Sequence, residues 1–236
     1  MFTSEGPTVR ELAVQALSSV EHGYDLLAPK FDHTPFRTPE RFLTATTRAL
    51  RPYGPFDAAL DVCCGTGAGI GVLRDLGAPR RIGADLSAGM LAQAEAAHPD
   101  AGFVRADALA LPFEAEFDLA VSFGAFGHFL PAERPPLFAS VYRTLRPGGL
   151  FAFPIGAPLP VTSALYWITL GFDTAMRVRN AVWRPPFVMY YRTFPLGGVR
   201  TDLRAAGFDV SLTPLPEFGT RPDGTPRWRL VLARKP

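Results

Sequence analysis

The chain has 236 residues with 24 lysines and arginines against 22 acids, and a net charge of +2 gives by itself no footprint for nucleic acid. A hydrophobic fraction of 47% can fill the core of one α/β domain with an added cap, and nothing argues for two independent domains. No apolar run approaches the ~20 residues of a membrane span, and no uninterrupted apolar signal segment opens the chain. The only cysteines, Cys63 and Cys64, are adjacent and lack metal-ligand spacing, so no metal is expected and they read as buried small residues in a reducing, cytoplasmic compartment.

In chain order, Val9, Leu12, Ala13, Ala16, Leu17 and Val20 recur at helical spacing and predict one N-terminal helix over residues 8–23, outside the central sheet and stopped at Gly23. A second helix is expected to start at Thr38-Pro39-Glu40, with Thr38 as N-cap and proline in the first position, and to run to about Leu50.

Leu60-Asp61-Val62-Cys63-Cys64-Gly65-Thr66-Gly67 is an apolar strand that ends in a carboxylate and breaks into a small-residue turn, with a helix following to about Leu76. Such a turn suits a nucleotide-type ligand. A dinucleotide fingerprint fails because the third glycine position holds Ile70 or, in the alternative register, Val72, and the Lys-Ser/Thr pair of a phosphate loop is absent. Two further short strands are expected, Arg81–Asp85 and Gly102–Asp107, each ending in a carboxylate at its tip. In a parallel sheet these tips line the crevice where open α/β folds bind ligands. Asp85 can accept from ribose hydroxyls, Asp107 from an exocyclic amine, and Asp61 can face a cationic group. Three carboxylates without a lysine or arginine among them suit a positively charged ligand, and S-adenosylmethionine is one.

Helices are also expected over residues 87–97 and 131–145, the latter closed by Arg146-Pro147-Gly148-Gly149. Strands and helices alternate to about residue 153, which predicts an α/β, doubly wound, mostly parallel sheet with helices on both faces.

With these blocks in place the sequence resembles the class I S-adenosylmethionine-dependent methyltransferases, and within them the small-molecule branch that includes the ubiquinone/menaquinone C-methyltransferases. The matching blocks are residues 60–67, Gly83–Leu91, Ala106–Phe113, Phe117–Phe129 and Leu145–Leu150, in family order and spacing. The resemblance implies a Rossmann-like sheet of seven strands with the last pair antiparallel. It also implies S-adenosylmethionine as methyl donor, S-adenosylhomocysteine as product, and a donor site of Asp61, Cys63, Gly65, Thr66, Gly67, Asp85, Leu86, Met90, Asp107, Ala108 and Phe123. Cys63 departs from the family, which usually has its first glycine there. Tyr24 and Phe31, in an aromatic-Asp segment before the core, are candidates for the pocket roof. His128, beyond the fourth strand, is the candidate general base, with His33 a remote second.

The implied partition is an N-terminal helical cap (1–56), a donor-binding core (57–153), a lid that selects the acceptor (154–195), and a final helix and strand pair (196–236). The lid holds six prolines and the aromatic residues Tyr166, Trp167, Phe172, Trp183, Phe187, Tyr190, Tyr191 and Phe194, with a helix expected near residues 162–180. These rings suit a small apolar or aromatic acceptor, and Arg177, Arg179, Arg184 and Arg192 could hold an acidic group on it. The charge is uneven: residues 1–150 carry 13 basic and 17 acidic groups, residues 151–236 carry 11 and 5. A peripheral membrane contact through the aromatic, basic lid is therefore also open. The other functional class that stays open is a methyltransferase-like protein that binds the donor or its product without turnover, or serves a partner.

Overall fold

The structure is a computed structural model that describes residues 6–236. Seven strands form one sheet in the order β3-β2-β1-β4-β5-β7-β6. They are β1 (Ala58–Val62), β2 (Arg80–Asp85), β3 (Gly102–Arg105), β4 (Phe117–Val121), β5 (Leu145–Gly156), β6 (Asp209–Pro214) and β7 (Trp228–Arg234). The pairs from β3 through β5 are parallel, while β7 runs antiparallel to both β5 and β6. The Rossmann-like α/β architecture and antiparallel final pair are thus those the sequence predicts.

Both faces of the sheet are covered, which is why β1 is buried along its whole length and reads as an apolar run rather than an alternation. Along β5 the alternation is sorted between two cores. Phe151, Phe153 and Ile155 pack with Phe138, Leu137 and Val141 of α6 (Arg134–Thr144) on one face. Leu150 and Ala152 point the other way, into a core with Leu43 and Leu50 of α3 (Glu40–Leu50) and Ile70 and Leu73 of α4 (Ala68–Asp75). The remaining core helices are α5 (Ala88–Ala97) and α8 (Leu196–Ala205).

The structure corrects the N-terminal expectation. In place of one helix there are two, α1 (Val9–Leu17) and α2 (Val20–Leu27), because Ser19 adopts extended backbone and its side chain accepts from the His22 N–H to cap a new start. Gly23 therefore ends nothing; it lies inside α2, where a Cβ would meet Gln15 at 3.0 Å and Phe187 at 3.1 Å. At α3, Pro39 rather than Thr38 occupies the N-cap position, without a side-chain cap bond. The Arg146-Pro147-Gly148-Gly149 segment belongs to β5 instead of capping α6, which passes directly into the strand at Leu145.

β1 lies between β2 and β4, so the chain leaves β1 toward one side and returns to the other. A crevice opens beyond the carboxyl ends of strands at such a switch point.

Candidate functional site

That crevice holds a cavity of about 550 Å³ whose walls include Asp61, the Cys63–Thr66 turn, Asp85 and Asp107. Asp61 is 1% exposed, and neither carboxylate oxygen meets a donor in full hydrogen-bond geometry. The backbone N–H groups of Gly69 and Ile70 at the start of α4 favour its ionised form, but burial and then the Asp85 charge dominate and push its pKa well up. Gly69 makes the space for this carboxyl: a Cβ there would stand 2.3 Å from Oδ2 and 2.5 Å from Oδ1. A buried acid with neither oxygen in full hydrogen-bond geometry is a group that a cationic ligand would satisfy.

The turn after β1 explains the family's glycine and the cost of replacing it. Cys63 has φ of 56°, in the left-handed region where a side chain costs about 1–2 kcal/mol. The loop forms with cysteine in place, as its small size leads one to expect. Burial and then the charges of Asp85, Asp61 and Asp107 hold the Cys63 thiol well above its ordinary pKa, which disfavours the thiolate. Gly65 donates its N–H to Asp85 Oδ2 at 2.9 Å and has open space where a Cβ would be. Gly67, at φ of 90°, departs from the expected set: it lines a different groove on the α3 and α4 side, and a Cβ would collide with His98 at 2.6 Å. It shapes the turn and does not face the cavity.

Asp85 Oδ1 accepts from the Ser87 N–H at 2.9 Å, so each carboxylate oxygen is held by one backbone donor and keeps a lone pair toward the cavity. Asp107 is similarly fixed by the Leu109 N–H at 2.9 Å. Leu86, Met90, Ala108 and Phe123 complete this end of the wall. Of the eleven residues expected at the donor site, all but Gly67 line this cavity.

Two acids outside that set fasten the N-terminal cap over the crevice. Asp25 Oδ1 accepts from Ser87 Oγ at 2.6 Å and from the Gly89 N–H at 2.9 Å, and Asp32 accepts from Thr66 Oγ1 at 2.8 Å. Burial opposes ionisation of Asp25, but these bonds from Ser87 and Gly89 outweigh it and leave the carboxyl below its ordinary range. The aromatic-Asp pairs Tyr24-Asp25 and Phe31-Asp32 are the signal for these contacts in the sequence.

Residues 59–149 match the family model described as a methyltransferase domain. An uncharacterized methyltransferase of Synechocystis is 33% identical over 131 residues, which are 55% of this chain and 60% of that protein. A Saccharomyces cerevisiae tRNA (carboxymethyluridine(34)-5-O)-methyltransferase is 32% identical over 143 residues, 60% of this chain and 49% of that one. The chain thus spans 60% and 49% of the lengths of these two curated relatives. Among solved structures, an S-adenosylmethionine-dependent methyltransferase of Mesorhizobium loti superposes with a TM-score of 0.56 at 26% identity, covering 81% of this chain and 98% of that one. Residues 59–149 are thus similar to a methyltransferase domain, set in a chain that shares the fold of an S-adenosylmethionine-dependent methyltransferase.

Beyond the Asp61, Asp85 and Asp107 end of the cavity, the structure rearranges the expectations for the rest of the site. Tyr24 and Phe31 do line the cavity, with ring centroids 6.0 Å apart, whereas His33 ends the short 3-10 turn after α2 and is not in the wall. His128 is in the wall with both ring nitrogens engaged: Nδ1 is 2.7 Å from the Val188 carbonyl oxygen and Nε2 is 2.8 Å from Tyr24 Oη. A carbonyl only accepts, so Nδ1 carries the proton and Nε2 accepts from the Tyr24 hydroxyl. Burial lowers the His128 pKa, only partly offset by Val188, and keeps the ring neutral; burial likewise pushes the Tyr24 hydroxyl up and keeps it protonated.

Of the eight lid aromatics only Tyr191 reaches the cavity, accompanied by Val188 and Met189. Phe187 and Tyr190 are buried in packing, Phe194 stacks on Phe126, and Trp167 and Trp183 are exposed. None of the four lid arginines lines the cavity; Arg177 lies over the Tyr190 ring, Arg192 over Tyr166, and Arg179 donates to the Pro185 carbonyl. The arginine in the wall is Arg37, from the N-terminal cap, which also supplies Val20, Pro35, Phe36 and Thr38. The segment before the core, more than the lid, forms the far wall.

Proposed function

We propose that this chain transfers a methyl group from S-adenosylmethionine to a small apolar or aromatic acceptor. The observation that carries the reading is Asp61: a buried carboxyl with neither oxygen in full hydrogen-bond geometry, set in a cradle that Gly69 keeps open, on the wall it shares with Asp85 and Asp107. This arrangement fits a ligand with an ammonium and a sulfonium group. Asp61 would face the amine, Asp85 would accept from the ribose hydroxyls and Asp107 from the exocyclic amine, while Met90, Leu86 and Phe123 would pack on the apolar surfaces. Bound there, S-adenosylmethionine supplies an activated methyl group that needs no further electrophilic assistance.

The protein's own contribution is placement and exclusion of water. Holding two reactants in attack geometry can lower a barrier by ~7–11 kcal/mol. Val20, Phe31, Phe36, Phe129, Met189 and Tyr191 offer the acceptor an apolar wall, and the Asp25 and Asp32 contacts hold the cap that closes it. For an acceptor that must lose a proton, Tyr24 is the group poised to take it, as its own proton passes to His128 Nε2 and the resulting imidazolium stays anchored on Val188. Such base assistance is worth roughly 10²–10⁴ in rate. His128 therefore acts through Tyr24.

The test is incubation with methyl-labelled S-adenosylmethionine and a panel of phenols, quinones, carboxylates and bulk tRNA. Label transferred to an aromatic small molecule is the expected result. Transfer only to RNA overturns the acceptor class, and donor binding without transfer to any acceptor points to the non-catalytic alternative.

A further inference from the structure

The helix α7 (Ala164–Val182) fully buries none of its apolar residues. Its buried positions are Thr169 and Asp173, whose carboxylate accepts from the Tyr191 and Arg192 N–H groups at 2.8 and 3.1 Å. The opposite face is apolar and open: Trp167, Ile168, Gly171, Ala175, Val178 and Val182 recur at the 3.6-residue period, with Ile168 65% and Val182 79% exposed. This reverses the usual placement, in which the polar face meets water.

We infer that this outer face of α7 docks on an anionic lipid surface. The charge pattern selects that occupant. Asp173 is the only acid between residues 154 and 195, and it is buried and internally bonded, whereas Arg184 is exposed just beyond the helix and Arg177 and Arg192, stacked over Tyr190 and Tyr166, flank the stripe at exposed positions. A second copy of the chain, paired through the same face, would oppose arginine with arginine and offer no acid in return. An anionic headgroup layer answers that charge while the acyl boundary takes the apolar stripe. Trp167 and Trp183 stand near the two ends of the helix, each more than half exposed, and the indole N–H of Trp167 is already held by the Val161 carbonyl at 2.9 Å. An amphipathic ring in that position suits a water–lipid boundary. No described helix is long and apolar enough to cross a membrane, so α7 would lie in the plane of the surface.

The chain passes from α7 through Val188, Met189 and Tyr191, which line the cavity. Docking would therefore put the acceptor end of the cavity beside the lipid, an advantage for an apolar acceptor dissolved there; that link rests on the proposed methyl transfer, whereas the docking itself does not.

Flotation of the full chain with vesicles tests it, using phosphatidylcholine alone and phosphatidylcholine with about a third phosphatidylglycerol. The chain should float with the anionic vesicles, and I168D/V178D should reduce the floated fraction by about tenfold or more, the scale of losing two apolar side chains from the interface. Both side chains are exposed, so the variant should keep the parent's melting temperature and S-adenosylmethionine affinity. Failure to float with the anionic vesicles, or flotation indifferent to I168D/V178D, overturns the assignment. So does a dimer by light scattering that becomes a monomer in I168D/V178D, which would give the face to a second copy. None of these outcomes depends on methyl transfer, so they leave the activity reading to its own assay.

Discussion

Gly69→Ala separates the donor site from the fold. Gly69 is the second residue of α4 and has ordinary helical backbone, where alanine is the better helix former by ~0.5–1 kcal/mol. The new Cβ would nevertheless stand 2.3, 2.4 and 2.5 Å from Oδ2, Cγ and Oδ1 of Asp61. These separations are below the 3.0 Å that real contacts respect, so the carboxyl must swing away from its cradle. A displaced charge-assisted contact to the ligand amine is worth about 1.5–3 kcal/mol, which raises the Kd by about tenfold to a hundredfold. Isothermal titration with S-adenosylmethionine reads that change, and thermal unfolding of the ligand-free protein reads the fold. A Tm close to the parent with weakened binding is expected. Parent affinity in a correctly folded G69A protein would remove Asp61 from the donor site. Asp61→Asn, which keeps the shape and removes the charge, should weaken binding without the steric push.

Asp85→Ala should weaken donor binding by roughly 1–3 kcal/mol, read by the same titration, through lost hydroxyl contacts and a loosened Gly65 N–H. Cys63→Gly should retain donor affinity and change stability little, since relief of the left-handed strain offsets the greater freedom of the unfolded chain; Cys63→Val should lower the melting temperature, because a β-branched residue tolerates that φ worst. His128→Asn should slow methyl transfer more than it weakens donor binding, and equal activity would assign the residue to packing. The pH dependence has a definite sign. The Asp61 pKa is raised by burial and by Asp85, so its neutral form supports the free fold at low pH and that support declines as pH rises from the unfolded value toward the folded one. A cationic ligand favours the carboxylate, so donor affinity should rise with pH over the same range and binding should release a proton. Titrations in two buffers of different ionisation heat would show this as unequal apparent enthalpies; identical ones would contradict it.

The core was legible because its strands are short apolar runs that end in chemistry: Asp61, Asp85 and Asp107 mark three tips, and in β1 burial on both faces leaves no ambiguity of period. The break between α1 and α2 was hidden because apolar spacing continues through Ser18-Ser19, and only the cap formed by Ser19 reveals it. The turn conceals a different distinction. Gly65 and Gly67 are equivalent as letters, but two residues of backbone rotation send one toward the cavity and the other toward His98. The lid misled for an energetic reason: a helix that buries Thr169 and Asp173 and exposes Ile168 and Val182 inverts the rule by which aromatic and aliphatic residues are assigned to pockets. His128 was found by position, but its partners, Tyr24 from α2 and the Val188 carbonyl, lie 104 and 60 residues away and no local spacing connects them.

Calorimetric titration of the intact chain with S-adenosylmethionine, and separately with NAD, tests the central claim most directly. The Asp61, Asp85 and Asp107 wall predicts one S-adenosylmethionine site per chain, weakened in G69A, and no NAD binding. Heat with NAD and none with S-adenosylmethionine would contradict the account.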